Sequence, residues 1–456
     1  MSRLLILTLA LSASTVRAGG FGIPEIGVRR TAMGAIVGRP DDPSAIYHNP
    51  AGLALSHGTQ LYVSCGVSLL DTQFSLAPWS DTLNDGTVVS SDQYLGQPGA
   101  NGLYAPTKPT RAMGVIPMLA VTHELIADKL WIGGGVYVGN ATGAAFDDQA
   151  VTRYHLITGY IIAPQAVATV AYRVLPSLTI GATAGVINLR VHGRRLFYPI
   201  IRNNDGTTTN ATQLIGTAAD LTLDGSAWAP TAVVGVFGQP HPRVTWGATV
   251  TMRTDATLEG PVTVKLGDPS PLVVDTNGDG VPDAADTLHG TQKTSQLLPW
   301  AVMAGANVDL TPHVELGGEL RYWLYRQYQK QETDVTGIFL VRKLETTKNF
   351  HDSWETSGGV RVHDLPAIPA LDLMMGLQWD HSPAPANTLT LDQPSFSHLG
   401  LHSGLRYTFG RYRVGASYIH YWYRIPSVDN SITVPPTNFA GQGSNNIFTA
   451  SLEVRL

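Results

Sequence analysis

The sequence FTASLEVRL, residues 448 to 456, ends the chain and governs how the rest is read. Phe448, Ala450, Leu452, Val454 and Leu456 fall on one side of an extended backbone, and Thr449, Ser451, Glu453 and Arg455 fall on the other. Moving back along the chain, the same period of two returns. Leu371, Leu373, Met375, Leu377 and Trp379 oppose Asp372, Gln378 and Asp380; Val314, Leu316, Leu320, Tyr322 and Leu324 oppose Glu315, Glu319 and Arg321; Trp246, Ala248, Val250 and Met252 oppose Thr245, Thr249, Thr251 and Arg253. These are half-buried antiparallel strands, recurring from about residue 58 onward.

A soluble two-sheet sandwich also alternates, but its wet face would be rich in Lys and Glu. This chain carries seven Lys against twenty-three Arg, and only 14% of its 456 residues are charged. Many segments reach about ten residues, the length a tilted strand needs to cross a bilayer, against about five or six in a sandwich. The reading is therefore all-β: a transmembrane antiparallel β-barrel of about fourteen strands, closed because hydrocarbon cannot satisfy a sheet edge. Tyr322, Trp323, Tyr325 and Tyr328, and again Tyr418, Tyr421, Trp422 and Tyr423, are expected at the membrane-water interface. After the N-terminus no run of about twenty apolar residues offers a membrane helix. A net charge of -5 without blocks of like charge gives no footprint for nucleic acid.

Residues 1–18 combine Arg3, an apolar run from Leu4 to Ala13 and a small-residue end at Ala18, the layout of a secretory signal cleaved before Gly19. The single Cys65 forms no internal disulfide and reads as a modest apolar strand residue. Residues 19–56 do not alternate, and Gly22, Pro24, Gly27, Gly34, Gly38, Pro40, Pro43, Pro50 and Gly52 exclude a regular wall strand. Their apolar content, including Ile23, Ile36, Val37 and Leu53, is too high for a solvated tail, so the segment is expected inside the lumen as a hatch, with the barrel over residues 57–456. Long loops are expected at residues 76–110, 200–216, 267–296 and 425–444, on the extracellular side.

Several side chains stand out. Asp275, Asn277, Asp279, Asp283 and Asp286 place oxygens at positions 1, 3, 5, 9 and 12 of a loop with Gly280 at position 6, and the Val281 carbonyl would supply position 7. That is the spacing that wraps Ca²⁺, with Asp for Glu at the last position and without flanking helices. Asn49, Pro50 and Ala51 make a turn. Gly139, Asn140 and Gly143 interrupt the strand that begins at Leu130, where two glycines weaken pairing and permit a bulge. In the segment from Leu178 the apolar parity changes at Ile187, leaving Asn188, Arg190 and His192 on the other face; an Arg directed into the lumen could grip a carboxylate bidentately. His398 and His402 share a strand face but lie roughly 13 Å apart, too far for one metal. They are expected to line the pore. No nucleophile elbow, nucleotide loop or HExxH motif is present.

Residues 35–54, AIVGRPDDPSAIYHNPAGLA, resemble the N-terminal hatch signature of FadL/TodX-type outer-membrane transporters of hydrophobic compounds (the OMPP1 family), through Asp41, Asp42, Asn49, Pro50, Ala51 and Gly52. The segments VIPMLAVTHELIADKLWIGGGVYVGNATGAAFDD, APQAVATVAYRVLPSLTIGATAGV and LDLMMGLQWDHSPAPANTLTLDQPSFSHLGLHSGLRY are similar to the family's strand patterns. The resemblance implies a monomeric barrel of about fourteen strands, stoppered by its hatch, that takes up long-chain fatty acids or small aromatic hydrocarbons without a cofactor or energy source. It implies gating at Asp41, Asp42 and the Asn49 turn, sideways exit at Gly139, Asn140 and Gly143, and a carboxylate contact at Arg190. The partners implied are outer-membrane lipid, lipopolysaccharide and the barrel-insertion machinery. A polar-solute porin, an adhesive or structural barrel and a barrel lipase remain as other classes.

Overall fold

An unbroken antiparallel ladder from Gln60↔Arg455 to Leu76↔Phe439 joins the first long strand to the last, and Leu456 N–H closes the seam on Thr59 O at 2.9 Å. The computed structural model describes residues 22–110, 112–202, 207–216, 218–267, 273–274, 283–284 and 287–456. In chain order the wall is β1 (Thr59–Leu76), β2 (Met113–Ile126), β3 (Leu130–Ala145), β4 (Thr158–Leu175), β5 (Leu178–Leu196) and β6 (Asp220–His241). It continues with β7 (Val244–Thr251 and Thr254–Lys265), β8 (Thr287–Leu298 and Ala301–Thr311), β9 (Val314–Trp323 and Lys330–Thr336) and β10 (Lys343–Thr347 and Ser353–Val362). The last four are β11 (Leu371–Asp380), β12 (Ser397–Phe409), β13 (Tyr412–Arg424) and β14 (Phe439–Arg455). Each pairs with its neighbours, and β14 returns to β1, so fourteen strands form a closed ring.

The polarity of this ring is inverted relative to a soluble protein. Leu61, Val121, Val234, Leu320, Met375, Leu377 and Phe448 are exposed on the outside. Thr183, Glu315, Glu319, Arg321, Glu355, Gln378 and His402 are buried within. A single Lys or Arg on the outer face at mid-membrane would cost about 2–4 kcal/mol, which fixes the outward face as the oily one. The alternation read from residues 448–456 holds: Phe448, Ala450 and Leu452 face out, Thr449 and Glu453 in.

Two expectations need correction. Of the proposed interfacial aromatics, Tyr322 and Trp422 face outward, but Trp323, Tyr325, Tyr328, Tyr421 and Tyr423 are buried. Trp323, Tyr325 and Tyr328 pack with Phe350 in an apolar inner cluster, whereas Tyr421 lies against His398 and donates its hydroxyl to Glu25. The loop limits also shift. β8 begins at Thr287, inside the expected loop 267–296, and β14 begins at Phe439, inside the expected loop 425–444. Residues 146–157 and 381–396 form additional long connections.

Residues 22–56 fold into short pieces: α1 (Val28–Met33), α2 (Ala45–His48) and a 3₁₀ turn, Pro50–Leu55. Their partners lie all round the ring. Ile23 N–H donates to Gly139 O on β3, the Thr183 hydroxyl on β5 donates to Ile46 O, and Asn49 Nδ2 donates to Val236 O on β6. Arg39 reaches Asp309 on β8, Arg30 reaches Glu355 on β10, and His402 Nδ1 on β12 bonds Thr31 O. A segment touching so many strands at once occupies the lumen. It fits because the wall at that level is floored with glycine. A methyl group on Gly376 would lie 2.1 Å from Met33 O, one on Gly181 2.4 Å from Ala51 N, and one on Gly235 2.3 Å from Asn49 Oδ1.

Gly376→Val should therefore leave the ring intact while pushing α1 off its seat, at an overpacking cost of about 1–3 kcal/mol. The expected outcome is faster proteolysis within residues 22–56 and a raised ion conductance in planar bilayers. Wild-type values in both assays would contradict the close fit.

Candidate functional site: a lumenal cavity and a break in the wall

The ladder between β2 and β3 starts at Ile126↔Leu130 and ends at Met118↔Tyr137. Beyond that point β3 loses its alternation: of residues 137–144 all but Asn140 are buried. Against β4 the register slips between Val138 and Asn140, so Gly139 is the extra residue of a bulge that bends β3. The N-terminal segment takes up the freed edge. Gly22 bridges to Asn140, and Ile23 N–H donates to Gly139 O at 2.9 Å. Asn140 Oδ1 accepts from Gln165 Nε2, and Gly143 pairs with Tyr160 on β4. Tyr47 guards the bend from inside. Its hydroxyl donates to Ile23 O at 3.0 Å and its ring stands edge-on to Tyr137 at 5.2 Å.

Above this level a cavity of about 240 Å³ opens between the upper strands and the loops. Leu156, Ile161, Val191, Leu221, Leu344 and Leu391 give it an apolar lining, and Arg195 and Asp392 give it charge. Lys348, buried behind the lining, donates to Thr390 Oγ1 at 3.3 Å. Asp392 acts electrostatically on both Lys348 and Arg195. Burial would raise the Asp392 carboxyl, but Lys348, with the Thr390 bond and Arg195, holds it below the usual carboxylate range. Burial lowers the Lys348 ammonium, with Asp392 opposing. His155, also lining the cavity, is pushed down to about 3 by burial and by Arg195, so it stays neutral. Arg194 and Glu345 also line the cavity, but Arg194 is paired with Asp148 and Asp220 and Glu345 lies against Lys330 and Lys343, which leaves Arg195 and the buried Lys348 against Asp392.

Arg190 does not contribute to it. Pairing of β5 with β6 runs without slippage from Leu178 to Leu196, so Arg190 shares the outward face with Ile180 and Val186, and its Nε donates to Asn188 Oδ1 at 2.6 Å. The parity of the strand never changes; the composition of its inner face does, from Thr179 and Thr183 low down to Ile187, Leu189 and Val191 above. Arg195 is the inward arginine. Counting in twos from Ile180 could have found it.

The residues expected to gate the channel are each hydrogen-bonded within the lumen. Asp41 accepts from both Nη atoms of Arg406 at 2.8 Å and from Arg361 at 2.9 Å, with Arg29 3.6 Å away. Asp42 accepts from the Ser44 amide and hydroxyl at the start of α2. Asn49 Oδ1 accepts from Ala51 N–H, its amide donates to Val37 O and Val236 O, and Pro50 opens the 3₁₀ turn. His398 and His402 both face inward, and His402 Nε2 meets Gln378. The proposed calcium loop, from Asp275 through Asn277, Asp279 and Val281 to Asp286, lies outside the described residues except for Asp283, whose backbone pairs with Val274. The leader, residues 1–18, lies outside them too.

Fold and polarity together put the chain among the channel-forming barrels of the bacterial outer membrane. Over residues 9–447 it matches the family described as outer membrane protein transport protein (OMPP1/FadL/TodX), and it belongs to that family. A FadL homologue of Pseudomonas aeruginosa shares the fold at a TM-score of 0.76 with 14% identity, over 96% of this chain and 99% of that one. The Pseudomonas putida toluene transporter TodX gives 0.65 at 14% identity over 97% and 99% of the two chains. The Ralstonia pickettii toluene transporter TbuX gives 0.64 at 14% over 96% and 99%. No curated protein matches in sequence. The family and fold are those of transport channels for hydrophobic molecules, not of enzymes.

Asp41→Asn should loosen the hatch. Removing one partner from a buried charge group leaves Arg406 and Arg361 short of compensation, a loss of up to about 3–5 kcal/mol. Thermal unfolding and proteolysis of residues 22–56 would both register it, and an unchanged transition would mean that the ion group does not hold the segment.

Proposed function

We propose that this channel takes up amphiphiles with an anionic end, long-chain fatty acids foremost, and releases them sideways into the membrane. The carrying observation is the cavity in which an apolar lining meets Arg195, with Lys348 buried behind it and Asp392 opposing both, while the other lining carboxylate, Glu345, is taken up by Lys330 and Lys343. A guanidinium offers a carboxylate two parallel hydrogen bonds, while the alkyl chain gains from leaving water. From there the ligand moves down past Tyr47 and Tyr137 to the bend at Gly139, Asn140 and Gly143, where β2 and β3 no longer pair. Residues 22–56, held by Asp41, Asp42 and the turn at Asn49, Pro50 and Ala51, act as the hatch that gates this route. No cofactor enters the scheme.

A second reading, uptake of uncharged aromatic hydrocarbons, is favoured by Asp392, which cancels one of the two cations, and by the toluene transporters among the structural neighbours. Uptake into liposomes decides between them. Oleate flux well above that of toluene and of a sugar supports the first reading, toluene flux the second, and equal sugar flux with and without residues 22–56 overturns both.

Arg195→Ala should weaken oleate binding by about tenfold or more, the worth of a charge-assisted hydrogen bond, and leave toluene unaffected. The pH dependence carries a sign. A carboxylate ligand is ionised above about pH 5, and Lys348 must be protonated to help hold it. Because burial lowers the Lys348 pKa, oleate affinity should fall as pH rises at values below the ordinary lysine range, and Lys348→Met should abolish that fall. Calorimetric titrations at pH 7 and pH 10 read both effects.

A further inference from the structure

On the outer face of the ring, away from the bend in β3, β4 to β8 enclose an apolar groove of about 530 Å³. That volume falls within the range of small-molecule pockets, about 300–1,000 Å³. Val170, Ile180, Val234, Val250 and Val302 form its sides, and Gly181, Ala182, Gly235 and Ala248 its floor. The side residues are outward-facing members of the same apolar belt that meets hydrocarbon. The groove is therefore continuous with the lipid-facing surface, not with the lumen.

One end of it is marked by Tyr172, and the ammonium of Lys129 lies 5.8 Å from the centre of that ring. Lys129 sits in the two-strand turn between β2 and β3, at the end of the barrel where all the connections are short, which is the periplasmic end. Among the described residues no carboxylate comes within ion-pair distance of it. An apolar trough with an unpaired cation at its headgroup end matches one occupant in both parts. We infer that the groove binds a phospholipid of the periplasmic leaflet, one acyl chain in the trough and the phosphate at Lys129.

The site has a mechanical neighbour. Gly181 and Gly235 form the floor of the groove and, on their inner side, the seat of Asn49, Pro50 and Ala51. One layer of backbone separates the acyl chain from the hatch turn. The assignment rests on the outward face alone and is independent of which cargo the lumen carries.

Native mass spectrometry of the detergent-purified protein, titrated with palmitoyl-oleoyl phosphatidylglycerol or with the matching diacylglycerol, tests it. Wild type should retain one phosphatidylglycerol after detergent exchange. Ala182→Phe combined with Ala248→Phe fills the trough from the lipid side and should lower that retention at least tenfold. Lys129→Gln should lower it about fivefold, the worth of one basic residue near an anionic headgroup, and leave diacylglycerol unaffected. Heat-modified mobility on gels confirms that each variant has folded. Retention by the filled variant equal to wild type would overturn the groove, and equal retention of diacylglycerol and phosphatidylglycerol, unmoved by Lys129→Gln, would overturn the headgroup contact.

Discussion

Hydrocarbon accepts no hydrogen bond, and the architecture follows from that. Every backbone amide of the wall must find a partner within the protein, so the sheet has to return on itself, and β14 does so against β1 along the whole of its paired length. A ring of fourteen strands is too wide to be filled by its own side chains. The N-terminal segment fills it instead, and does so with backbone as much as with side chains, since Met33 O rests on Gly376 and Ala51 on Gly181. Closure of the wall and occupation of the lumen are thus one problem solved twice, first with hydrogen bonds and then with glycine.

The interior polarity that closure permits is used in two ways. At the level of the hatch it is charged: Arg29 pairs with Glu315, Arg30 with Glu355, Arg361 and Arg406 with Asp41, and Glu319 caps the amides of Ile36 and Val37. Such pairs fix position more than they add stability, because each ion has to leave water to make them. Above that level the inner face turns apolar through Ile187, Leu189 and Val191, and Arg195, Lys348 and Asp392 gather at the cavity. The inner surface thus changes from apolar to charged along the barrel axis, and the bend at Gly139 is bonded directly to the N-terminal segment through Ile23.

Much of this was readable in the chain. The strict alternation of residues 371–380 and 448–456 gave strand, face and membrane side at once, and the two glycines around Asn140 marked the bulge. The Gly- and Pro-broken stretch before β1 announced itself as something other than wall. What escaped was information that depends on which face of a strand counts as inner. Ile187, Leu189 and Val191 read as a lipid-facing run if apolar means outside; in the upper lumen it does not, so the pattern points to Arg190 where the inner face carries Arg195. Trp323, Tyr325 and Tyr421 lie near strand ends, where position along the strand alone does not tell an inward ring from an interfacial one. Lys348 and Asp392 come from loops far apart in sequence, and no local pattern joins them. The glycine seats were equally silent, since a glycine in a strand gives no sign of what presses against it.

The seam between β1 and β14 also imposes an order of events on biogenesis. The N-terminal segment immediately precedes β1, and its contacts run right round the ring, from Tyr62 on β1 to β14, so no partly curled sheet can offer it more than a fraction of its final lodging. The last residues of the chain are the ones that shut the ring. The segment's full set of seats, those on the two seam strands included, exists only once β14 has met β1, so it reaches its final place no earlier than the closing of the ring.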